Sequence, residues 1–71
     1  MTKADKAVVM WDADKKAWRV RIQVGEEVIK RPASGKKLAR DVAEDMLRAA
    51  AIETAHADGY DIDPAAVTIA R

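Results

Sequence analysis

The side chains best suited to ligand binding in this sequence are basic, and one group of them alternates along residues 18–24. Within that segment, Arg19, Arg21 and Gln23 occupy every second position. Guanidinium and amide groups can form paired hydrogen bonds with base edges in a DNA major groove. Together with Lys30 they form a candidate nucleic-acid-binding surface. The simpler interpretation is an ordinary solvent-exposed sheet face, since polar outward alternation is normal there.

A second basic group surrounds the stretch SGKKLARDVAED, which predicts the start of a helix with Ser34 as its N-cap. Its basic residues are Arg31, Lys36, Lys37 and Arg40. Because backbone N–H groups at a helix N-terminus bind phosphate well, this group is the second candidate site. In the alternative interpretation, Lys37 and Arg40 only pair with acidic residues one turn later in the helix.

Catalysis is not indicated by the remaining polar residues. His56 is the one histidine, the chain has no cysteine, and Ser34 is explained as a cap, so no catalytic triad can be assembled. The acidic residues Asp58, Asp61 and Asp63 lack the residue order and the closing glutamate of a calcium loop. We therefore expect a solvated acidic loop, and a protein that is not an enzyme and has neither metal nor cofactor.

Length and composition indicate one small folded domain spanning residues 1–71. The sequence is 49% hydrophobic and 35% charged, which is typical of a soluble globular chain. The absence of cysteine excludes disulfides and zinc–thiolate sites. Neither a signal-like nor a membrane-spanning apolar run is present, so the prediction is a cytoplasmic protein that does not enter the membrane.

The net charge of +1 hides an asymmetry along the chain. Residues 1–40 contain eleven Lys or Arg and five Asp or Glu, a net +6, whereas residues 41–71 contain two and seven, a net −5. A basic half indicates polyanions as partners. Mutual neutralisation of the two halves within the fold is the alternative.

Three short segments predict an antiparallel sheet. They are residues 7–11, 18–24 and 27–31, of which the second alternates strictly between apolar and polar positions. Gly25-Glu26 fits a type II′ turn. If Trp11 lies opposite Trp18 and Ile22 opposite Ile29, both hairpins give the same apolar face. That core face consists of Val9, Trp11, Trp18, Val20, Ile22 and Ile29.

A long helix is predicted from Ser34 to about Ala57, ending with His56 in its last turn and Gly59 just after it. The expected buried face is Leu38, Ala39, Val42, Ala43, Met46, Ala49 and Ala50. A turn at Asp63-Pro64 precedes a short fourth strand, residues 67–70. The predicted fold class is therefore α+β, with β-β-β-α order, one helix packed on one sheet face, and a short C-terminal strand.

The other sheet face would also carry Val8, Met10 and Val28, which indicates that part of it is covered. A nucleic acid, a second subunit and the chain's own C-terminal segment are the three interpretations.

Residues 18–47, WRVRIQVGEEVIKRPASGKKLARDVAEDML, resemble the last two-thirds of a double-stranded RNA-binding domain. The matching positions at the expected helix start are Ser34, Lys36, Lys37, Ala39, Arg40 and Ala43. The resemblance implies that the lysines there hold phosphates across a groove of duplex RNA.

The β-β-β-α order is also similar to the arm-type DNA-binding domains of phage integrases, whose sheet enters the major groove. It is similar, too, to HicB-type antitoxins and small phage anti-CRISPR proteins, which bind proteins. Two functions are therefore expected. One is a nucleic-acid-binding module for duplex DNA or RNA. The other is a protein-interaction or inhibitor protein of a phage or mobile element, including a homodimer formed through the open face or the long helix.

Overall fold

The computed structural model describes residues 2–33 and 38–70 and has α+β architecture, as predicted. The elements in chain order are β1 (Thr2–Lys3), β2 (Lys6–Asp12), β3 (Ala17–Val24), β4 (Glu27–Pro32), α1 (Glu44–Ala57), β5 (Tyr60–Asp61), a short 3₁₀ helix (Pro64–Ala66) and β6 (Val67–Ala70). Four strands form the main sheet in the order β4-β3-β2-β6, and β1 with β5 forms a small parallel pair. No described helix is long and apolar enough to cross a membrane.

The predicted register of both hairpins is confirmed. Trp11 lies opposite Trp18 and Val9 opposite Val20, while on the other side of β3 Ile22 lies opposite Ile29. At the second turn Gly25 has a φ of 60°, a conformation that glycine adopts without strain. Side chains along a strand point alternately to the two faces of the sheet. Because both hairpins place the same β3 residues on the apolar face, only one face of the sheet can be the buried one.

The C-terminal strand is confirmed at residues 67–70, and its position removes one of the three interpretations of the open face. β6 runs parallel to β2 at the edge of the sheet, with Ala7 opposite Val67 and Val9 opposite Ile69. The strand therefore widens the sheet and does not fold across it. The interpretation that the C-terminal segment covers the open face is therefore wrong.

The predicted start of the helix is wrong, since α1 begins at Glu44 and residues 38–43 form turns and irregular structure. Ser34, Gly35, Lys36 and Lys37 lie outside the described residues. Two physical reasons favour the later start. Glu44 and Asp45 place negative charge at the electropositive end of the helix. The indole N–H of Trp18 also donates to the carbonyl of Ala39 at 2.9 Å, which holds that segment against the sheet.

The buried face of the helix agrees with the prediction at Ala50 and differs from it elsewhere, while Leu38 and Val42 pack against the core from outside the helix. Its fully or nearly fully buried residues are Leu47, Ala50, Ala51, Thr54 and Ala55. Met46, expected in the core, is 54% exposed, and Ala49 is exposed. The predicted spacing of buried residues was counted from Leu38, but residues 38–43 are not helical. The predicted buried face is therefore rotated about the helix axis relative to the observed one.

The core lies between α1 and the strands β2, β3 and β6. Its largest fully buried side chains are Val9, Val20, Ile22 and Leu47. Trp18 is buried, and Trp11 packs edge-to-face against it with ring centroids 5.3 Å apart. Trp11 and Ile29 are only partly buried, yet they pack against this cluster as predicted.

The helix ends as predicted, with Gly59 in a left-handed conformation at φ 86° and His56 in the last turn. The predicted turn at Asp63-Pro64 is the start of the 3₁₀ helix. The Asp63 carboxylate caps this helix by accepting a hydrogen bond from the backbone N–H of Ala65 at 3.0 Å. Pairing of β1 with β5 was not predicted, because two-residue strands leave no periodic pattern in a sequence.

Candidate nucleic-acid interface

The sheet face opposite α1, here called the open face, is carried by all four strands of the main sheet. The register assigns it Lys6, Val8, Met10, Asp12, Ala17, Arg19, Arg21, Gln23, Val28, Lys30, Pro32, Thr68 and Ala70. Four of these side chains are basic and one is acidic, so the face carries a net charge of +3. The inner strand β3 supplies the two arginines.

Arg19, Arg21 and Lys30 are brought together on this face, as predicted from the alternation. Arg21 lies directly opposite Lys30 across β3 and β4, and Arg19 is two residues along the same strand. With Met10 and Asp12, they line a hollow of about 360 Å³. A smaller hollow of about 110 Å³ follows, lined by Lys6, Val8, Arg21 and Gln23. Arg21 lines both.

The side chains of Arg21 and Lys30 form no hydrogen bond or ion pair with any part of the chain that the structure describes, and both residues are exposed. Like charges directly opposite on a sheet repel, by a few tenths of a kcal/mol in solvent. The pair therefore presents two cations whose hydrogen-bonding capacity is free for a ligand. An anion between them would relieve the repulsion.

Arg19 is held differently, since its Nη1 lies 3.4 Å from Oδ2 of Asp12. The other oxygen, Oδ1, accepts the backbone N–H groups of Asp14 at 3.1 Å and Lys15 at 3.3 Å. The Lys15 N–H is the largest cause of a lowered pKa of the Asp12 carboxyl, and Arg19 lowers this pKa further. Asp12 thus fixes both the β2–β3 turn and the position of Arg19.

This arrangement predicts a pH-dependent contribution of Asp12 to stability. Because folding lowers the pKa of Asp12 below its ordinary 3.8, the contribution is complete above that value and disappears as the pH falls through the lowered pKa. We expect Asp12→Asn to reduce the free energy of unfolding at pH 7, and this difference to shrink in acid, measured by urea unfolding at several pH values. Asp14→Asn removes the same charge without these bonds and is the control. A difference that persists unchanged in acid would contradict the assignment.

Three apolar side chains interrupt the basic surface. Val28 is 41% exposed, and Val8 and Met10 are half-buried. In a sheet with one solvated face, such residues are available for contact with the apolar parts of a partner, including the methyl group of thymine.

Arg31 belongs to the opposite face, because it lies across from Val20 in the β3–β4 register. Its Nε lies 3.0 Å from Oδ2 of Asp58, at the end of α1, and its Nη1 donates to the carbonyl of Lys30 at 3.1 Å. The N–H of Nε is not aligned with Oδ2, so this contact is an ion pair without a hydrogen bond. The structure therefore does not place Arg31 with the open-face residues.

Arg40 is also separate from the open face. Its guanidinium carbon lies 5.6 Å from the ring centroid of Trp11, in cation–π contact on the helix side of the sheet. It lies in a turn and not at a helix N-terminus, so its predicted pairing with Glu44 along a helix is wrong. Glu44 is followed on α1 by an ion pair between Arg48 and Asp45, whose charged atoms are 3.7 Å apart. Lys36 and Lys37 lie outside the described residues.

The three aspartates of the C-terminal loop each have a separate role. Asp58 faces Arg31, Asp61 lies 3.4 Å from Nε2 of His56, and Asp63 caps the 3₁₀ helix. Within residues 2–33 and 38–70, no group of three His, Cys, Asp or Glu could hold a metal ion.

Two charged residues of the open face were missed by sequence reasoning, namely Lys6 and Asp12. Strand β2 was predicted over residues 7–11, and the structure extends it by one residue at each end. Continuing the Trp11–Trp18 register outward would have placed Lys6 opposite Gln23 and Asp12 opposite Ala17.

The geometry defines a class of protein, a small α+β domain with one helix-covered and one open, basic sheet face. No family model, curated protein or solved structure matches the chain.

Proposed function

We propose that this protein binds duplex DNA through the open face, with Arg19, Arg21, Gln23 and Lys30 directed at the major groove. The observation that carries the proposal is the position of Arg21 directly opposite Lys30 on a face with a net charge of +3, where neither side chain has a partner among the described residues. The rest of the molecule is net negative, because the whole chain carries only +1. The charge distribution therefore orients the open face toward a polyanion.

The dimensions of the sheet support the major groove as the site. A major groove about 12 Å wide admits a two-stranded ribbon, and the neighbouring strands β3 and β4, about 4.8 Å apart, together carry all four proposed contact residues. The major groove of duplex RNA is too deep and narrow to admit a sheet. Single strands usually stack on aromatic side chains, and both tryptophans point to the helix side. Duplex DNA therefore suits the open face better than either alternative.

RNA binding through the Ser34–Arg40 segment, as the resemblance to double-stranded RNA-binding domains implies, stays a prediction. It depends on Lys36 and Lys37, which lie outside the described residues.

A salt titration tests DNA binding. With three or four cations contacting phosphates or bases, we expect log K to fall with log salt at a slope between about −2.7 and −3.6. Replacing Arg21 and Lys30 together, Arg21→Gln with Lys30→Gln, removes two contacts and should reduce this slope by about 1.8. Fluorescence anisotropy with a mixed-sequence duplex, between about 50 and 200 mM salt, measures both values.

The matched control is Lys3→Gln with Arg48→Gln, which changes the net charge equally on β1 and α1, outside the open face. It should leave the slope unchanged. An equal loss of affinity in both double variants would show that only total charge matters, and an absence of binding at low salt would remove the proposal.

A protein ligand for the same face is the second candidate, and the exposure of Val28 beside Val8 and Met10 favours it. A photo-crosslinking residue at position 28 distinguishes the two candidates in cells. Adducts that nuclease removes support DNA, and adducts that only protease removes support a protein partner.

A further inference from the structure

The strand β4 forms one edge of the main sheet, and no described strand pairs with its outer side. The backbone groups that face outward follow from one hydrogen bond. The N–H of Ala33 donates to the carbonyl of Trp18 at 3.0 Å, so these two residues form a hydrogen-bonded pair of the ladder. Because such pairs alternate in antiparallel sheets, Val28 and Lys30 direct their N–H and C=O groups away from β3. The contact of Arg31 Nη1 with the Lys30 carbonyl agrees with this direction.

We propose that this edge pairs with β4 of a second copy of the chain, antiparallel and centred on Ile29. In that register, Val28 of each copy lies opposite Lys30 of the other, and both present outward N–H and C=O groups. Four backbone hydrogen bonds form across the two-fold axis. The main sheets of the two copies become one continuous sheet of eight strands, about 34 Å wide, so that dimerisation and entry of the open face into a major groove about 12 Å wide exclude each other.

Charge complementarity selects this partner and this register. Glu27 of each copy lies opposite Arg31 of the other on the helix side, in a non-hydrogen-bonded pair whose side chains are close. Centring the pairing on Lys30 would place two lysines opposite each other and would use Pro32, which has no N–H. Centring it on Val28 would require bonds from Glu26, which is in the turn. Only the Ile29 register both avoids opposed like charges and takes its hydrogen bonds from strand residues that have an N–H.

The side chains around the axis gain contacts in this arrangement. Ile29, which is only partly buried in one copy, meets Ile29 of the second copy on the helix side. On the open face, the methylene chain of Lys30 lies against Val28, which is 41% exposed in one copy. Arg31 exchanges its contact with the Lys30 carbonyl for Glu27, while the second copy's Val28 N–H reaches that carbonyl.

Light scattering and a cysteine cross-link test the pairing. We expect a concentration-dependent dimer. The chain has no cysteine, so Ile29→Cys introduces a single thiol pair about 4.5 Å apart between Cα atoms, within disulfide range. Under mild oxidation Ile29→Cys should cross-link at least about tenfold faster than Val28→Cys, whose Cα atoms lie about 7–8 Å apart diagonally. A monomer at every concentration, or equal cross-linking of both variants, would overturn the proposal.

A charge exchange tests the register. Glu27→Arg places two arginines opposite each other twice per dimer and should raise the dimer Kd about tenfold or more. Glu53→Arg, an equal change on the exposed side of α1, should leave the Kd unchanged. Mixing the Glu27→Arg variant with the Arg31→Glu variant should restore dimers that contain one copy of each. In such a dimer, positions 27 and 31 that lie opposite each other carry opposite charges at both contacts.

Arg31→Glu also removes the contact with Asp58, so its folding is checked by circular dichroism. If that variant does not fold, Glu27→Arg and Ile29→Cys still decide the question. Dimerisation that resists Glu27→Arg would place the interface elsewhere.

Discussion

Replacing Leu47 by alanine is expected to reduce the free energy of unfolding by about 3 kcal/mol. Leu47 is fully buried between α1 and the sheet, and its truncation leaves a cavity that the small neighbouring alanines of the helix cannot fill. A domain of this size has about 4 to 10 kcal/mol of total stability, so the change removes a large share of it. Urea unfolding followed by far-ultraviolet circular dichroism measures the loss.

Met46→Ala is the matched control, because Met46 precedes Leu47 on the helix and is 54% exposed. We expect its effect to stay within about 0.5 kcal/mol. The comparison also decides the rotation of the helix, since the sequence pattern had assigned Met46 to the core. A larger loss for Met46→Ala than for Leu47→Ala would contradict the orientation described here.

Replacing Trp18 by phenylalanine is expected to cost about 2 kcal/mol. The smaller ring leaves space in a buried site and removes the indole N–H that donates to the Ala39 carbonyl. That bond joins β3 to residues 38–43, which precede the helix. We therefore expect trypsin to cleave after Arg40 faster in the variant than in the unchanged protein, in addition to the loss measured by urea unfolding.

Trp11→Phe is the control for Trp18→Phe. It keeps an aromatic ring beneath Arg40 and affects only a partly buried position. Its cost should be below about 1 kcal/mol, with little change in cleavage after Arg40. Equal effects of the two substitutions would show that ring volume, and not the Trp18–Ala39 hydrogen bond, holds the segment.

The strands could be predicted from the sequence because apolar and polar residues alternate along them, which shows directly which side chains face the core. The alternation from Trp18 to Val24, checked against two turns, is sufficient to assign the faces, and with them Arg19, Arg21 and Lys30 as one group. The helix start could not be predicted in this way. The Trp18–Ala39 bond joins residues 21 positions apart, and no local pattern near Ser34 reveals that it holds this segment outside the helix.

The same distinction applies to the candidate site. Arg31 and Arg40 are near Lys36 and Lys37 in the sequence, which suggested one anion site. Arg31 faces Asp58 and Arg40 faces Trp11, and both partners come from distant parts of the chain. Charge alone therefore does not identify a binding residue, because Arg31 and Arg40 have partners in the fold, whereas the side chains of Arg21 and Lys30 have none among the described residues.

The parallel pairing of β2 with β6 has a consequence for the rate of folding. The two hairpins close over a few residues each, but Ala7 meets Val67 only after a loop of 60 residues closes. The entropy of closing that loop must be overcome before its contacts stabilise anything. We therefore expect slower folding than a β-β-β-α chain of equal length without this strand would show. Substitutions in β6, such as Val67→Ala, would then mainly accelerate unfolding, because their contacts form late.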